Sequence, residues 1–259
     1  MSTPVRASDQ DLRALAAIVS QDRPDQPDGE GLLPPSLLAD LMDQIRCHGI
    51  SLERYDTGRQ VHRWLQGADE DDDAGLSEDW HRVFWTHYWD CLLCSHPVRT
   101  GDLRAVVKTS DFYSARQWHS TGMYIDCIRP QRLEHHLMLA LPELPEVAAA
   151  PGRYVRLVFH RGPGPDFSER DRALLTLLRP HLYQACLDAE RRRHPVPRLT
   201  PRQNDLLRLL AAGHTNTQIA RRLGISEGTV RTHLENIYER LGVSSRTAAV
   251  TRAFADRVA

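Results

Sequence analysis

The sequence predicts an α+β chain in two parts: a domain of mixed strands and helices, then an all-α unit of four short helices. Three observations carry that expectation. Residues 153–160 alternate apolar and polar side chains as a half-buried strand does, and shorter stretches of the same kind precede them. The last sixty-five residues instead show helical spacing, broken at intervals by Gly and by Ser or Thr at cap positions. Between the two parts, Pro195 and Pro197 end a long helical stretch. A chain of 259 residues suits two domains, expected at residues 1–194 and 195–259.

In the first part, residues 9–20 have the spacing of an amphipathic helix, and the Asp, Pro and Gly density of residues 21–35 marks a loop. Residues 37–47 return to helical spacing. Two short strands follow at 50–55 and 60–65, joined through Asp56, Thr57 and Gly58 as a hairpin. The acidic run at 69–73 lacks the ligand and glycine spacing of a calcium loop and is expected to be a solvated connection. Ser77 caps a helix whose apolar side runs through Trp80, Phe84, Tyr88 and Cys91. Further strands are expected at 103–109, 133–141 and 153–160, after which Gly162, Pro163, Gly164 and Pro165 force a loop. Ser168 with Asp171 opens a final long helix, striped by Leu174, Leu178, Leu182 and Ala185 and running toward Arg191, Arg192 and Arg193. Pro180 removes one of its backbone hydrogen bonds and is expected to bend it.

The second part has its boundaries written into the chain. Thr200, Pro201 and Gln203 supply an N-cap hydroxyl, a proline at the first helical position and a capping-box glutamine; that helix closes at Gly213. Thr215 and Gln218 repeat the box for a short helix with Ile219, Ala220 and Leu223 inward, and Gly224 suits the left-handed residue that ends it. Ser226 caps a third helix, on which Val230, Leu234, Ile237 and Leu241 form one narrow apolar seam. The opposite side carries Thr232, Glu235, Asn236 and Glu239, flanked by Arg231 and Arg240. Beyond Gly242, Ser244 or Ser245 caps a fourth helix rich in small apolar residues, including Ala248, Ala249 and Ala253, a build that permits close packing against a second copy.

Two helices joined by a tight turn, the second presenting polar side chains, is the helix-turn-helix arrangement. Over residues 199–257 the chain resembles the LuxR/NarL/FixJ-type DNA-binding domain, through Leu199, Thr200, Pro201, Arg202, Gly213, Ile219, Ala220, Leu223, Gly224, Ile225, Ser226, Thr229, Val230, Arg231, Thr232, His233 and the run from Leu241 to Arg246. Where that family usually carries glutamate this chain has Gln203, and where it usually carries basic residues it has Glu235 and Glu239. The resemblance implies base reading by Arg231, Thr232 and Glu235, phosphate contacts by Thr229, His233, Arg240 and Arg246, and a dimer contact on the fourth helix through Ala248, Ala249 and Ala253. The segments 110–113, 118–124 and 164–172 resemble the GAF-like sensor domains that precede LuxR-type domains in actinobacterial regulators.

Charge agrees with a polyanionic partner. The whole chain has a formal net charge of -1, but residues 195–259 hold ten arginines against five acids, a net of +5, leaving 23 basic residues against 29 acidic ones before them. No apolar run is long enough to span a bilayer, and the first residues lack a secretion signal, so a cytoplasmic protein with no membrane partner is expected. The five cysteines are then expected as reduced thiols.

Four residues are candidates for chemistry: His87, Cys91, Cys94 and His96. On one continuous helix the first three would share a side, close enough for a soft metal or a dithiol; small buried cysteines among aromatic residues are the alternative. Trp118, His119, Met123 and Tyr124 are candidates to line a pocket for an organic ligand, or simply to form core. Asp111, Asp126, Asp171 and Lys108 do not make a phosphoacceptor site, and neither a phosphate loop nor a nucleophile elbow is present. The chain therefore reads as a homodimeric, sequence-specific regulator that binds double-stranded DNA, with no enzyme activity, no cofactor and an unidentified small-molecule ligand or protein partner as its signal. The rival reading is a metal- or thiol-dependent sensor enzyme with an accessory helical domain that binds protein.

Overall fold

Strand β5 (Arg153–Arg161) lies at the centre of a five-stranded sheet ordered β2-β1-β5-β4-β3, built with β1 (Gly49–Asp56), β2 (Val61–Asp69), β3 (Val106–Lys108) and β4 (His135–Pro142). Every neighbouring pair is antiparallel. The computed structural model describes residues 9–20, 23, 25–27, 29, 31–69, 78–144, 152–193, 199–243 and 245–254. They fall into two compact units, the first ending at Glu190 and the second beginning at Arg191. The expectations for the acidic run beyond residue 69, the Ser77 cap, the Pro195 and Pro197 break and Ser244 lie outside the described residues.

The period of two along each strand sorts the side chains into two buried layers. Ile50, Leu52, Leu137, Leu139, Leu141, Val155, Leu157 and Phe159 pack against α1 (Asp9–Ser20), α2 (Pro35–Ile45) and α6 (Glu169–Arg193), which contributes Leu174, Leu178 and Leu182. The opposite face carries Tyr55, Met138, Ala140, Tyr154 and Val158. It is covered by α3 (Glu78–Tyr88), α4 (Leu92–Thr100), α5 (Ala115–His119) and a π-helical turn at Met123–Ile128. A sheet with helices on both sides has no solvated face, so polar residues on either side are dehydrated and require partners.

Two expectations change, and a third holds. The helix opened near Trp80 does not reach Cys91: it stops at Tyr88, and Cys91 becomes the N-cap of a new helix, its sulfur accepting the Cys94 amide at 3.4 Å. The strand expected at 103–109 shrinks to three residues, because Thr109–Asp111 turns into a 3-10 helix closed by the Asp111 carboxylate accepting the Lys108 amide. Helix α6 continues through Pro180 to Arg193, its start fixed by mutual bonds between Ser168 and Asp171.

The second unit is four helices around one core: α7 (Pro201–Ala211), α8 (Asn216–Leu223), α9 (Glu227–Leu241) and α10 (Arg246–Phe254). Thr200 and Thr215 each accept the amide three residues on, and Gln203 and Gln218 return the bond, as the sequence predicts. Ser245 caps α10, its hydroxyl accepting the Ala248 amide.

Candidate functional site

The second unit presents one helix outward by sinking its seam. Val230, Leu234, Ile237 and Leu241 are 0 to 5% exposed and pack against Leu206, Leu207, Leu210 and Ile219. At about 100° per residue that fixes the rest of α9: Thr229, Arg231, Thr232, Glu235, Asn236, Glu239 and Arg240 are all exposed, and His233 is half-buried. The turn before it is rigid. Gly224 takes φ 66°, which only glycine adopts cheaply, and the Ile225 amide reaches back to the Ala220 carbonyl at 3.1 Å. Ser226 then accepts the Thr229 amide at 3.1 Å, and Thr217 donates to Glu227 at 3.1 Å, pinning the start of α8 to the start of α9. The Thr232 hydroxyl donates to the Gly228 carbonyl at 3.2 Å, leaving its oxygen lone pairs for an outside donor.

The first unit has a half-open cavity of about 590 Å³ between the sheet and the second helical layer. Trp64, Trp80, Phe84, Trp118, Met123 and Met138 give it an apolar wall. Trp118 and Met123 thus stand where the sequence suggests, whereas His119 and Tyr124 do not: they stack on each other at 4.6 Å and both bond Glu134 outside the cavity.

The cavity also has a polar floor that sequence reasoning missed, formed by Glu53, Arg156, His136 and His160. Glu53 faces Arg156 across β1 and β5, and the guanidinium holds the carboxylate through Nε at 3.1 Å and Nη2 at 2.7 Å. Ser51 and Tyr55 donate to the same carboxylate at 2.8 and 2.6 Å. Burial works against the Glu53 charge, yet Arg156 and these bonds hold its carboxyl well below the usual carboxylate range. Burial has the opposite consequence for the imidazoles, which lack a carboxylate in contact: His136 is driven well below its ordinary value and His160 down to about 4. Both are therefore neutral at neutral pH. His160 meets the Ser51 hydroxyl at 2.8 Å, but its Nδ1 and both nitrogens of His136 have no protein partner.

The four metal candidates are not brought together. His87 bonds Asp126 at 2.8 Å, His96 lies against the Phe112 ring at 5.5 Å, and only Cys91 and Cys94 adjoin. Among the described residues no three His, Cys, Asp or Glu side chains converge as metal ligands.

Comparison with known proteins decides the identity of the second unit. Residues 197–253 match the family model for bacterial regulatory proteins, luxR family. The C-terminal unit is a luxR-family helix-turn-helix domain. The probable transcriptional regulatory protein SgaR of Hyphomicrobium methylovorum is 46% identical over 79 residues, 30% of this chain and 37% of that protein. The nitrate/nitrite response regulator protein NarL of Escherichia coli K12 is 40% identical over 63 residues, 24% of this chain and 29% of that one. The chain thus spans about a third of the length of such relatives. A crystal structure of Escherichia coli SdiA shares the fold over 95% of this chain and 96% of that one, with a TM-score of 0.53 at 16% identity.

Within the luxR-family domain, Arg231, Thr232 and Glu235 project from α9, while Thr229 sits at its N-terminal turn and Arg240 near its end. Two of the expected residues have partners inside the domain. Arg246 is half-buried, and its Nη2 donates to the Leu210 and His214 carbonyls at 3.0 and 2.8 Å, so it ties α10 to the open end of α7. Ala249 is wholly buried in the domain's own core and has no surface to offer a second copy, whereas Ala248 and Ala253 are half-buried.

Proposed function

We propose that the protein is a sequence-specific DNA-binding regulator of transcription, in which residues 195–259 read duplex DNA and residues 1–194 sense a small organic molecule. One observation carries this reading: the luxR-family domain hides Val230 and Leu234 completely enough that Arg231, Thr232 and Glu235 stand outward on the helix that follows the tight turn. Arg231 has the fork that binds guanine in bidentate fashion, and Glu235 can accept from a cytosine amino group. Thr229, His233 and Arg240, joined by the exposed Arg221 and Arg222 of α8, serve the phosphates.

The cavity supports the sensing half. Its size suits a small organic ligand, its wall is aromatic, and the buried His136 and half-buried His160 hold unmet hydrogen-bonding groups. A chain of the same fold, SdiA, was crystallised with octanoyl-rac-glycerol at 17% identity to this one; here the support for a ligand is the cavity itself. The protein acts in the cytoplasm as a homodimer and without catalysis of its own, pairing through α10 at Ala248, whereas Ala253, one turn from the buried Ala249, packs on the domain's own core. No helix among the described residues is long and apolar enough to cross a membrane.

Selection of bound duplexes from a random library, followed by titration against salt, tests the reading. The expected outcome is an enriched motif of two half-sites and an affinity that falls steeply as salt rises. Enrichment of no motif rejects sequence-specific reading, and a motif of one half-site rejects the dimer.

A further inference from the structure

We propose that Cys94 is a covalent capture site for small electrophiles of the α,β-unsaturated carbonyl class that enter the aromatic cavity of the first unit. The inference rests on reading that cavity as a ligand site.

Of the five cysteines, Cys94 alone lines the cavity. Cys47 and Cys186 belong to the opposite core, and Cys91 and Cys127 pack behind the wall. Exposure does not single it out, since Cys94 is 7% and Cys47 is 8% exposed; what differs is that Cys94 borders the cavity.

The surroundings of Cys94 favour its thiolate. It occupies the third position of α4, at the positive end of the helix dipole, and Cys91 one turn earlier is the N-cap. Cys91 and Cys94 adjoin, the Cys94 amide donating to the Cys91 sulfur at 3.4 Å. The neighbouring Cys91 thiol and the positive charge of Arg156, against the opposing effect of burial, favour the Cys94 thiolate, so the Cys94 thiol lies below the usual thiol range and that of Cys91 above it. Glu53 pulls the other way, and its charge is already engaged by Arg156.

The ligand class follows from the rest of the cavity. Trp64, Trp80, Phe84 and Met123 suit an apolar body, and His136, neutral and without a partner on either nitrogen, can donate to a carbonyl oxygen. The chemistry is an addition. The sulfur lone pair forms a bond to the β-carbon, the alkene π pair shifts toward the carbonyl, and the α-carbon takes up the proton that left Cys94. No group leaves and no oxidant is needed.

The test treats the folded full-length protein with N-ethylmaleimide and follows each cysteine by peptide mapping. Cys94 is expected to be labelled at least about tenfold faster than Cys47, and Cys91→Ala is expected to slow it severalfold by removing the neighbouring thiol. A Cys94→Ser protein should then show no fast-labelled site, while all five native cysteines label alike in denaturant. Labelling of Cys94 no faster than Cys47 overturns capture and leaves the non-covalent sensor reading intact. Fast labelling of Cys94 without any change in duplex affinity overturns instead the link between cavity and DNA.

Discussion

His136 and His160 stand directly opposite each other on β4 and β5, their rings 5.2 Å apart and perpendicular, inside a cavity whose only buried charges in contact with each other are Glu53 and Arg156 among the described lining residues. Two neutral imidazoles in that position make the fold sensitive to mild acid.

Both histidines have folded pKa values below the unfolded value of about 6.5, so the unfolded chain takes up protons first as pH falls. The stability they contribute is complete above that value. It is lost progressively below it, at about 1.4 kcal/mol per pH unit for each ring, until the folded value is reached at about 4 for His160. Glu53, whose folded carboxyl also lies below its unfolded value, loses stability in the same sense but only below about 4.5, so the interval from pH 6.5 to 5 isolates the histidines. Thermal melts over that interval should show a falling midpoint in the native chain and a shallower fall in His136→Phe; equal slopes would remove His136 from the account.

Glu53 and Arg156 are each buried, 5 and 6% exposed, so neither charge tolerates loss of the other. Arg156→Met should cost about 3 to 5 kcal/mol by stranding the carboxylate. Adding Glu53→Leu to it should restore much of that loss, because no uncompensated charge then remains. Denaturant titration of the two variants measures both effects; a double variant weaker than the single one contradicts the pairing.

On the DNA side, Arg231→Ala should lose about 1 to 3 kcal/mol of discrimination at one base position per half-site, with random duplex bound nearly as before. Arg240→Ala should weaken specific and random duplex alike and reduce the salt slope by about one. Competition binding at several salt concentrations separates these patterns, and identical losses for both variants would refute the division of labour.

Arg246 gives a prediction of a different kind. Since it bonds two carbonyls at the end of α7 and beyond, Arg246→Ala should lower stability by about 1 to 3 kcal/mol and leave the salt slope of DNA binding unchanged. A drop in the salt slope without a change in melting temperature would restore the phosphate contact that the family resemblance implies.

The helices of the second unit were legible because their signals are local. A Thr or Ser hydroxyl that accepts an amide three residues on, and a glycine at φ 66° or 63°, act within one turn of backbone and need nothing from afar. The seam of α9 then sets its outward face by helical geometry alone. Helix α1 and the hairpin of β1 and β2 followed from the same short-range rules.

The break after Tyr88 was not legible. Phe84 and Tyr88 continue as an apolar stripe into Cys91, and only packing shows that the chain restarts at Leu92 with Cys91 as its cap. The partners of Arg246 and the burial of Ala249 were not legible for a related reason: an arginine and an alanine on a helix look the same in sequence whether they face a neighbouring helix or the outside.

The sequence by itself determined the outward face of α9, the two-part organisation it suggests and one buried face of the sheet. Only the tertiary structure decided the cavity. Along β1 and β5, Ser51, Glu53, Arg156 and His160 alternate with Leu52, Leu157 and Phe159, which is the pattern of a strand with one wet side. Alternation separates the two faces of a strand but cannot state what covers the second. Helices α3 to α5 arrive from elsewhere in the chain, exclude water from that polar face, and turn a solvated stripe into a charged pair and two unmet imidazoles inside an aromatic chamber.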